Sequence, residues 1–221
     1  MNTFIYMARG PSIEKTAETQ ARLLSAARTL FSKHGATWTM TDLAREAQCS
    51  VGLAYRYYPS RDAFVLAMYG ELSAAFSLKA DALTATTVGG RFSEIARFKL
   101  RCLNDERTAY LSLASIALSS EKLVGVLSAT TSSLRHAGEQ AFLKVVRDES
   151  PAEALPFARL LYALHLLVVL VWTQDKRPDS QRTDDLVDEL GRAIDTMWPL
   201  RSLPMVRGFV SRIDAWWQTF A

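Results

Sequence analysis

Apolar residues recur three and four positions apart along almost the whole chain, and no stretch alternates with period two, so the pattern predicts helices and no sheet. From Thr16 to Gly35, Leu23, Ala26, Ala27, Leu30 and Phe31 share one face; Lys33 and His34 fall in the last turn, and Gly35 marks the stop. Thr39 with Asp42 three residues later predicts a capped helix start, and Leu43, Ala44 and Ala47 form its apolar stripe. Ser50 caps another helix after only Gln48 and Cys49, and Pro59 ends it at Tyr58, because proline disfavours helical backbone in the residue before it. Two short helices so close in sequence must cross steeply, as in a helix-turn-helix. Ser60 then opens a fourth helix carrying Phe64, Met68, Leu72 and Phe76 as far as Leu83. It is longer than a small N-terminal unit needs, so it reads as a mechanical link to the rest of the chain.

Beyond a loop from Thr84 to Gly90, helical spacing returns in Arg91 to Leu103, Thr108 to Leu118 and Glu121 to Arg147. Ser150-Pro151 with Glu153 predicts another start, which Pro156 kinks or delays. The helix that follows, Phe157 to Trp172, is apolar on both sides and needs cover on both. A polar loop, Lys176 to Thr183, leads to a helix from Asp184 to Trp198, and a last amphipathic piece runs from Val206 to Phe220. The expected fold is all-α: a three-helix helix-turn-helix domain at the N-terminus and a larger C-terminal helical domain. The expected boundaries are a flexible arm at 1–15 carrying Gly10-Pro11, the helix-turn-helix domain at 16–60 with its motif at 39–58, and the regulatory body at 61–221.

Composition narrows the function. At 221 residues, 49% hydrophobic and 22% charged, the chain can bury substantial cores. Its net charge of +3 is uneven: up to Arg61 there are eight Lys and Arg against four acids, and the remainder is nearly neutral. That places the basic end where a polyanion would meet it. The apolar run Leu160 to Trp172 contains His165 and is too short for a membrane span, and Met1 to Tyr6 lacks a signal-peptide pattern, so a cytoplasmic address and no membrane partner are expected. Cys49 and Cys102 lie in unrelated segments and read as reduced thiols. His34, His136 and His165 form no metal-ligand array, and there is no phosphate loop or nucleophile elbow, so no metal, cofactor or catalytic residue is expected.

The Ser50–Tyr58 segment holds three tyrosines and an arginine in nine residues, a poor core helix but a rich set of donors for phosphates and base edges. The run Ser50-Val51-Gly52-Leu53-Ala54-Tyr55-Arg56-Tyr57-Tyr58-Pro59-Ser60-Arg61-Asp62 resembles the signature of the TetR family of bacterial transcriptional regulators. The upstream Leu24, Ala26, Ala27, Leu30, Phe31 and Gly35, followed by Thr39, Asp42, Leu43 and Ala44, resemble it too. Arg61 stands where that family usually has lysine and Tyr58 where it has phenylalanine. Gln48 and Cys49 replace a glycine and a small aliphatic residue at the turn, so Gln48 has to adopt left-handed backbone.

The resemblance implies a homodimeric regulator, a repressor released from a near-palindromic double-stranded operator by a small molecule; bound to DNA, it would sit on the bacterial nucleoid. By that analogy Thr41, Val51, Gly52, Leu53 and Tyr55 read bases, and Thr39, Arg45, Arg56, Tyr57 and Arg61 hold phosphates. It also implies a four-helix dimer contact through Phe157–Trp172 and Asp184–Trp198, for which the candidates are Leu161, Val168, Leu186, Leu190 and Ile194. An effector pocket in the body is implied as well, with no positions to transfer. From the sequence the candidates to line it are Phe98, Cys102, Tyr110, Phe142, Tyr162, His165 and Trp172, each of which also reads as plain core. The expected ligand is apolar or aromatic. A different class stays open: a helical small-molecule-binding protein or enzyme that no longer binds DNA.

Overall fold

The computed structural model describes residues 13–118 and 124–220. These form ten α-helices and no strand among the described residues: α1 Ile13–His34, α2 Met40–Glu46, α3 Val51–Tyr57, α4 Arg61–Asp81, α5 Val88–Asp105, α6 Arg107–Ala117, α7 Ser132–Val145, α8 Pro151–Gln174, α9 Gln181–Met197 and α10 Pro204–Trp217. The all-α expectation holds. Of the arm expected at 1–15, residues 1–12 lie outside the described residues and the rest opens α1.

The first three helices begin and end where the capping logic puts them. Thr39 Oγ1 accepts from the Asp42 amide at 3.2 Å while the Asp42 carboxylate takes the Thr39 amide at 2.9 Å, a complete capping box. Ser50 and Ser60 cap α3 and α4 through the amides of Leu53 and Ala63. Leu23, Ala27 and Phe31 of α1, Leu43 of α2, Ala54 of α3 and Phe64, Val65 and Met68 of α4 close one core.

α4 continues from that core into the body, where Leu72, Phe76 and Ala80 are buried against α7. α1 rests on α6 as well: Ser112 Oγ donates to the Phe31 carbonyl at 3.0 Å, and Arg28 pairs with Glu106 at 2.9 Å. The C-terminal end of α4 is fixed by Glu94 of α5, whose carboxylate pairs with Lys79 and accepts the Thr84 and Ala85 amides at 3.0 and 3.1 Å. Burial alone would raise the Glu94 pKa. The Lys79 bond and the two amide donors outweigh it and bring the pKa down to about 2.

Some segments depart from the sequence reading. Gly89 and Gly90 do not close a loop; Thr87 caps α5 one residue ahead of its first turn, which contains both. A Cβ on Gly89 would stand 2.0 Å from the Gly191 carbonyl oxygen, so this glycine is what lets α5 and α9 approach. The helix expected from Glu121 to Arg147 is shorter. Its start lies outside the described residues; Gly125 to Ser128 are irregular, a 3-10 turn spans Ala129–Thr131, and α7 begins at Ser132. Thr131 Oγ1 donates to the Gly125 carbonyl at 2.8 Å and Arg135 to Ser128 at 2.6 Å, satisfying the carbonyls of that turn with side chains. α9 starts at Gln181, ahead of the Asp184 expected, because Asp175 accepts both the amide and the hydroxyl of Thr183.

α8 also runs longer than its apolar core suggested, since the backbone stays helical through Pro156 near its first turns. The stretch Glu153–Gln174 is long and apolar enough to cross a membrane by length and composition, contrary to the shortness inferred from the Leu160–Trp172 run. Within the chain this helix packs on α7, α10, α5 and α9. α10 is pinned to it by a polar group: Glu139 accepts Trp217 Nε1 at 2.7 Å and Arg159 at 3.1 Å, and Arg159 also bonds Asp214 at 3.0 Å.

Because its folded pKa is depressed, Glu94 contributes stability that is fully present above about pH 4.5 and is lost as the pH falls towards about 2. Glu94→Gln is therefore expected to unfold more easily at pH 7 and to lose less further stability between pH 5 and pH 2.5 than the wild type. Urea titrations at these pH values measure it; parallel losses in both proteins would contradict the assignment.

Candidate nucleic-acid interface and effector cavity

α3 is only seven residues long, and only Ala54 on it is buried. Gly52, Tyr55 and Arg56 are exposed, Tyr55 by 50%, while Val51, Leu53 and Tyr57 are partly covered. A Cβ at Gly52 would meet nothing within 4 Å in the chain, so the helix presents a bare backbone patch flanked by a phenol and a guanidinium. Thr41 and Arg45 on α2 are exposed beside it, and Arg45 makes only a 3.3 Å contact to Asp42. The turn between the two helices depends on Gln48, whose φ of 50° is the left-handed backbone inferred from its position. The amide of Cys49 then returns to the Ala44 carbonyl at 2.9 Å.

Two of the residues expected at this surface are occupied elsewhere. Thr39 Oγ1, besides capping, donates to the Asp42 carboxylate at 2.7 Å. The Arg61 guanidinium donates to the Ala36 and Trp38 carbonyls and lies 6.0 Å from the Trp38 ring centre. It therefore locks the α1–α2 connection, an internal job the sequence did not reveal. Tyr58 is likewise turned inward, stacked on Phe64 at 4.0 Å, and Phe64 and Phe31 meet the edges of Trp38 at 5.9 and 5.1 Å. Burial raises the Tyr58 pKa.

Below the head, the body encloses a cavity of about 220 Å³. Tyr69, Leu72, Ser73 and Phe76 of α4 wall one side, Lys99 and Leu103 of α5 and Tyr110 and Leu113 of α6 another, and Arg135 of α7 with Tyr162, His165 and Trp172 of α8 the rest. Gly138 makes room for the Tyr162 ring, 2.5 Å from where its Cβ would stand. Exposed Leu118 and Leu170 form part of the wall, so the cavity reaches the surface. Tyr110, Tyr162, His165 and Trp172, expected as lining, border it. Phe98, Cys102 and Phe142 do not: Phe98 and Cys102 are partly buried away from it, and Phe142 is a fully buried ring behind His165, 5.5 Å between centres.

Burial, with Lys99 nearby, depresses the His165 pKa to about 3, so the imidazole is neutral, and its Nδ1 is buried with no hydrogen-bond partner. Burial also pushes Tyr110 and Tyr162 up to about 12. Lys99 was missed by the sequence reading although the signal was there: it occupies the same helical face as Phe92, Ile95, Ala96 and Leu103, a register otherwise filled by apolar residues.

The dimer candidates separate in the same way. Leu161 and Val168 are buried inside one chain, whereas Leu186, Leu190 and Ile194 are partly covered. The apolar side chains that α8 leaves open are Leu167, 50% exposed, and Leu170, 40% exposed.

Residues 23–68 match the family model described as bacterial regulatory proteins, tetR family. Those residues span the end of α1 through the first half of α4 and include the whole surface just described. Over its N-terminal head the chain matches the TetR family of bacterial regulatory proteins. Solved structures agree in fold over nearly the whole length. A tetR-family transcriptional regulator from Streptomyces coelicolor superposes with a TM-score of 0.57 at 20% identity, covering 90% of this chain and 89% of that one. Another, from Pectobacterium atrosepticum, gives 0.60 at 16% identity, covering 84% and 95%. No match is found among curated protein sequences.

In this TetR-like head the inward-turned Arg61 predicts a structural phenotype. Arg61→Ala is expected to lower the unfolding free energy by about 1.5–3 kcal/mol, the range for a charged donor on buried carbonyls, whereas Arg56→Ala should leave stability within about 0.5 kcal/mol. Equilibrium denaturation of the two variants decides it; equal, small effects would contradict the internal role of Arg61.

Proposed function

We propose that this regulator is a homodimeric repressor that a small molecule releases from its operator. The observation that carries the release is the position of the cavity: its walls include α4 and α6, the two body helices on which α1 rests. A ligand that fits the cavity better in one arrangement of these helices biases the orientation of the head, and a coupling of about 1–3 kcal/mol loosens DNA roughly 5–150-fold.

In this reading residues 16–60 with the first turns of α4 are the reading head, and 61–221 hold effector and partner. α3 enters the major groove of a near-palindromic operator, with Thr41, Val51, Gly52, Leu53 and Tyr55 nearest base edges. Arg45, Arg56 and Tyr57 hold phosphates, while Thr39 and Arg61 contribute by fixing the start of α2. The second copy covers the open side of α8 at Leu167 and Leu170 and the neighbouring stripe of α9 at Leu186, Leu190 and Met197. Exposure of Leu167, Leu170 and Met197 on one chain supports that choice over Leu161 and Val168, which already have cover.

Two measurements test this. Selection from fragmented genomic DNA should recover a near-palindromic site bound by two chains; recovery of nothing above background would contradict the repressor reading. Leu167→Arg should yield folded monomers by light scattering and bind the selected site at least 10-fold more weakly, because a charge buried unpaired at the interface opposes association. An unchanged dimer would contradict the interface.

A further inference from the structure

The effector cavity holds a cation with no anion among the described residues to match it. Lys99 reaches over the buried Phe76 ring, its Nζ 4.9 Å from the ring centre, and has no ion-pair partner among the described residues. Among the described residues no Asp or Glu lines the cavity. Against the same ring, 5.1 Å between centres, stands His165, whose Nδ1 is buried and unbonded. The other cationic side chain there, Arg135, is committed to the Ser128 carbonyl at 2.6 Å and to the Val126 carbonyl and Thr131 hydroxyl at 3.2 Å. Elsewhere in the body the enclosed cations face anions or carbonyls: Arg91 meets Asp148 and the Val145 carbonyl, and Arg159 meets Glu139 and Asp214. A partly buried ammonium and an unbonded imidazole nitrogen lining one cavity are costly unless something else completes both.

The geometry points to an effector with a single anionic head, a carboxylate or an acidic phenol, seated on Lys99 and His165 with an apolar body running among Leu103, Leu113 and Val169. The inference rests on the cavity being the effector site, as proposed above, and adds the charge of the ligand. One negative charge suits the site, because it neutralises Lys99 while the rest of the described wall offers tyrosine, serine and threonine hydroxyls, hydrocarbon and the committed Arg135. The neutral imidazole serves either way round: in one tautomer Nδ1 donates to a carboxylate oxygen, and in the other it accepts from a protonated group. Burial lowers the Lys99 pKa to about 8, which leaves the ammonium protonated in most molecules at neutral pH. That same burial makes its bond to an anion stronger than a surface pair.

The test uses the full-length protein and probes matched in size but not in charge: octanoate, 1-octanol and octylamine, with 4-tert-butylbenzoate and 4-tert-butylbenzyl alcohol as a second set. Calorimetric titration should rank each carboxylate about 10- to 100-fold tighter than its alcohol, with the amine weakest, on the strength of a charged hydrogen bond. In Lys99→Met the carboxylate advantage should collapse to within about 3-fold, and the ligand-free variant should melt no lower than the wild type. Lys99→Arg, which keeps the charge, should retain the preference for the carboxylate and guards against a folding defect. Alcohols binding as tightly as carboxylates, or a carboxylate preference that survives in Lys99→Met, would overturn the anionic-head inference while leaving the cavity as an effector site. Binding of none of the five probes would overturn both. Tight carboxylate binding that leaves operator affinity unchanged would support the head-group assignment and defeat ligand-controlled release.

Discussion

Everything else in the molecule depends on α4 being one uninterrupted helix that is buried at both ends. Twenty-one residues at 1.5 Å each make a rod of about 30 Å. Its first two turns put Phe64, Val65 and Met68 into the core of the head, and its later turns put Leu72, Phe76 and Ala80 into the body. Neither end can move without disturbing packed side chains, so displacement at one end is carried to the other. The fixings differ in kind. At the head, Tyr58 stacks on Phe64, and Arg61 holds the carbonyls of Ala36 and Trp38. At the far end, Glu94 gathers Lys79 and two loop amides.

The cavity lies along the middle of this rod, and its electrostatics are what the proposed effector site rests on. An apolar void in a helical body destabilises by its size alone. Here the void is bordered by an ammonium, a neutral imidazole and tyrosine hydroxyls, groups that a well-packed core would exclude or pair. Their presence in one place, next to the helix that carries the head, is how the proposed regulation would connect to packing. α6 offers a parallel route, since Tyr110 and Leu113 face the cavity while Ser112, on the other side of the same helix, bonds to α1.

How much of this was legible in the sequence follows from the range of the interactions involved. Caps are local: Thr39, Ser50 and Ser60 announce α2, α3 and α4 within three residues of their bonds, and the left-handed turn at Gln48 follows from its place between two of them. The family signature lies in the same stretch. Long-range partners were not legible. Arg61 reads as a surface cation until the fold brings the Trp38 carbonyl to it, and Gly89 reads as a loop residue until Gly191 of α9 is set against it. For the cavity, aromatic content indicated four of its lining residues but also Phe98, Cys102 and Phe142, because apolar periodicity marks what is buried and not what is left unfilled. Lys99 could have been found by asking which charged residue breaks an apolar helical face.

The central claim, that occupancy of the cavity repositions the reading heads through α4, is tested most directly by the distance between them. With Cys49 and Cys102 replaced by serine and a spin label placed on exposed Ser32 of α1, pulsed electron resonance reports the separation of the two heads in a dimer. The account predicts one distance distribution on operator DNA and a distinct one when the cavity is saturated with the tightest carboxylate probe. Superimposable distributions in the two states, with the ligand bound and the DNA released, would contradict it.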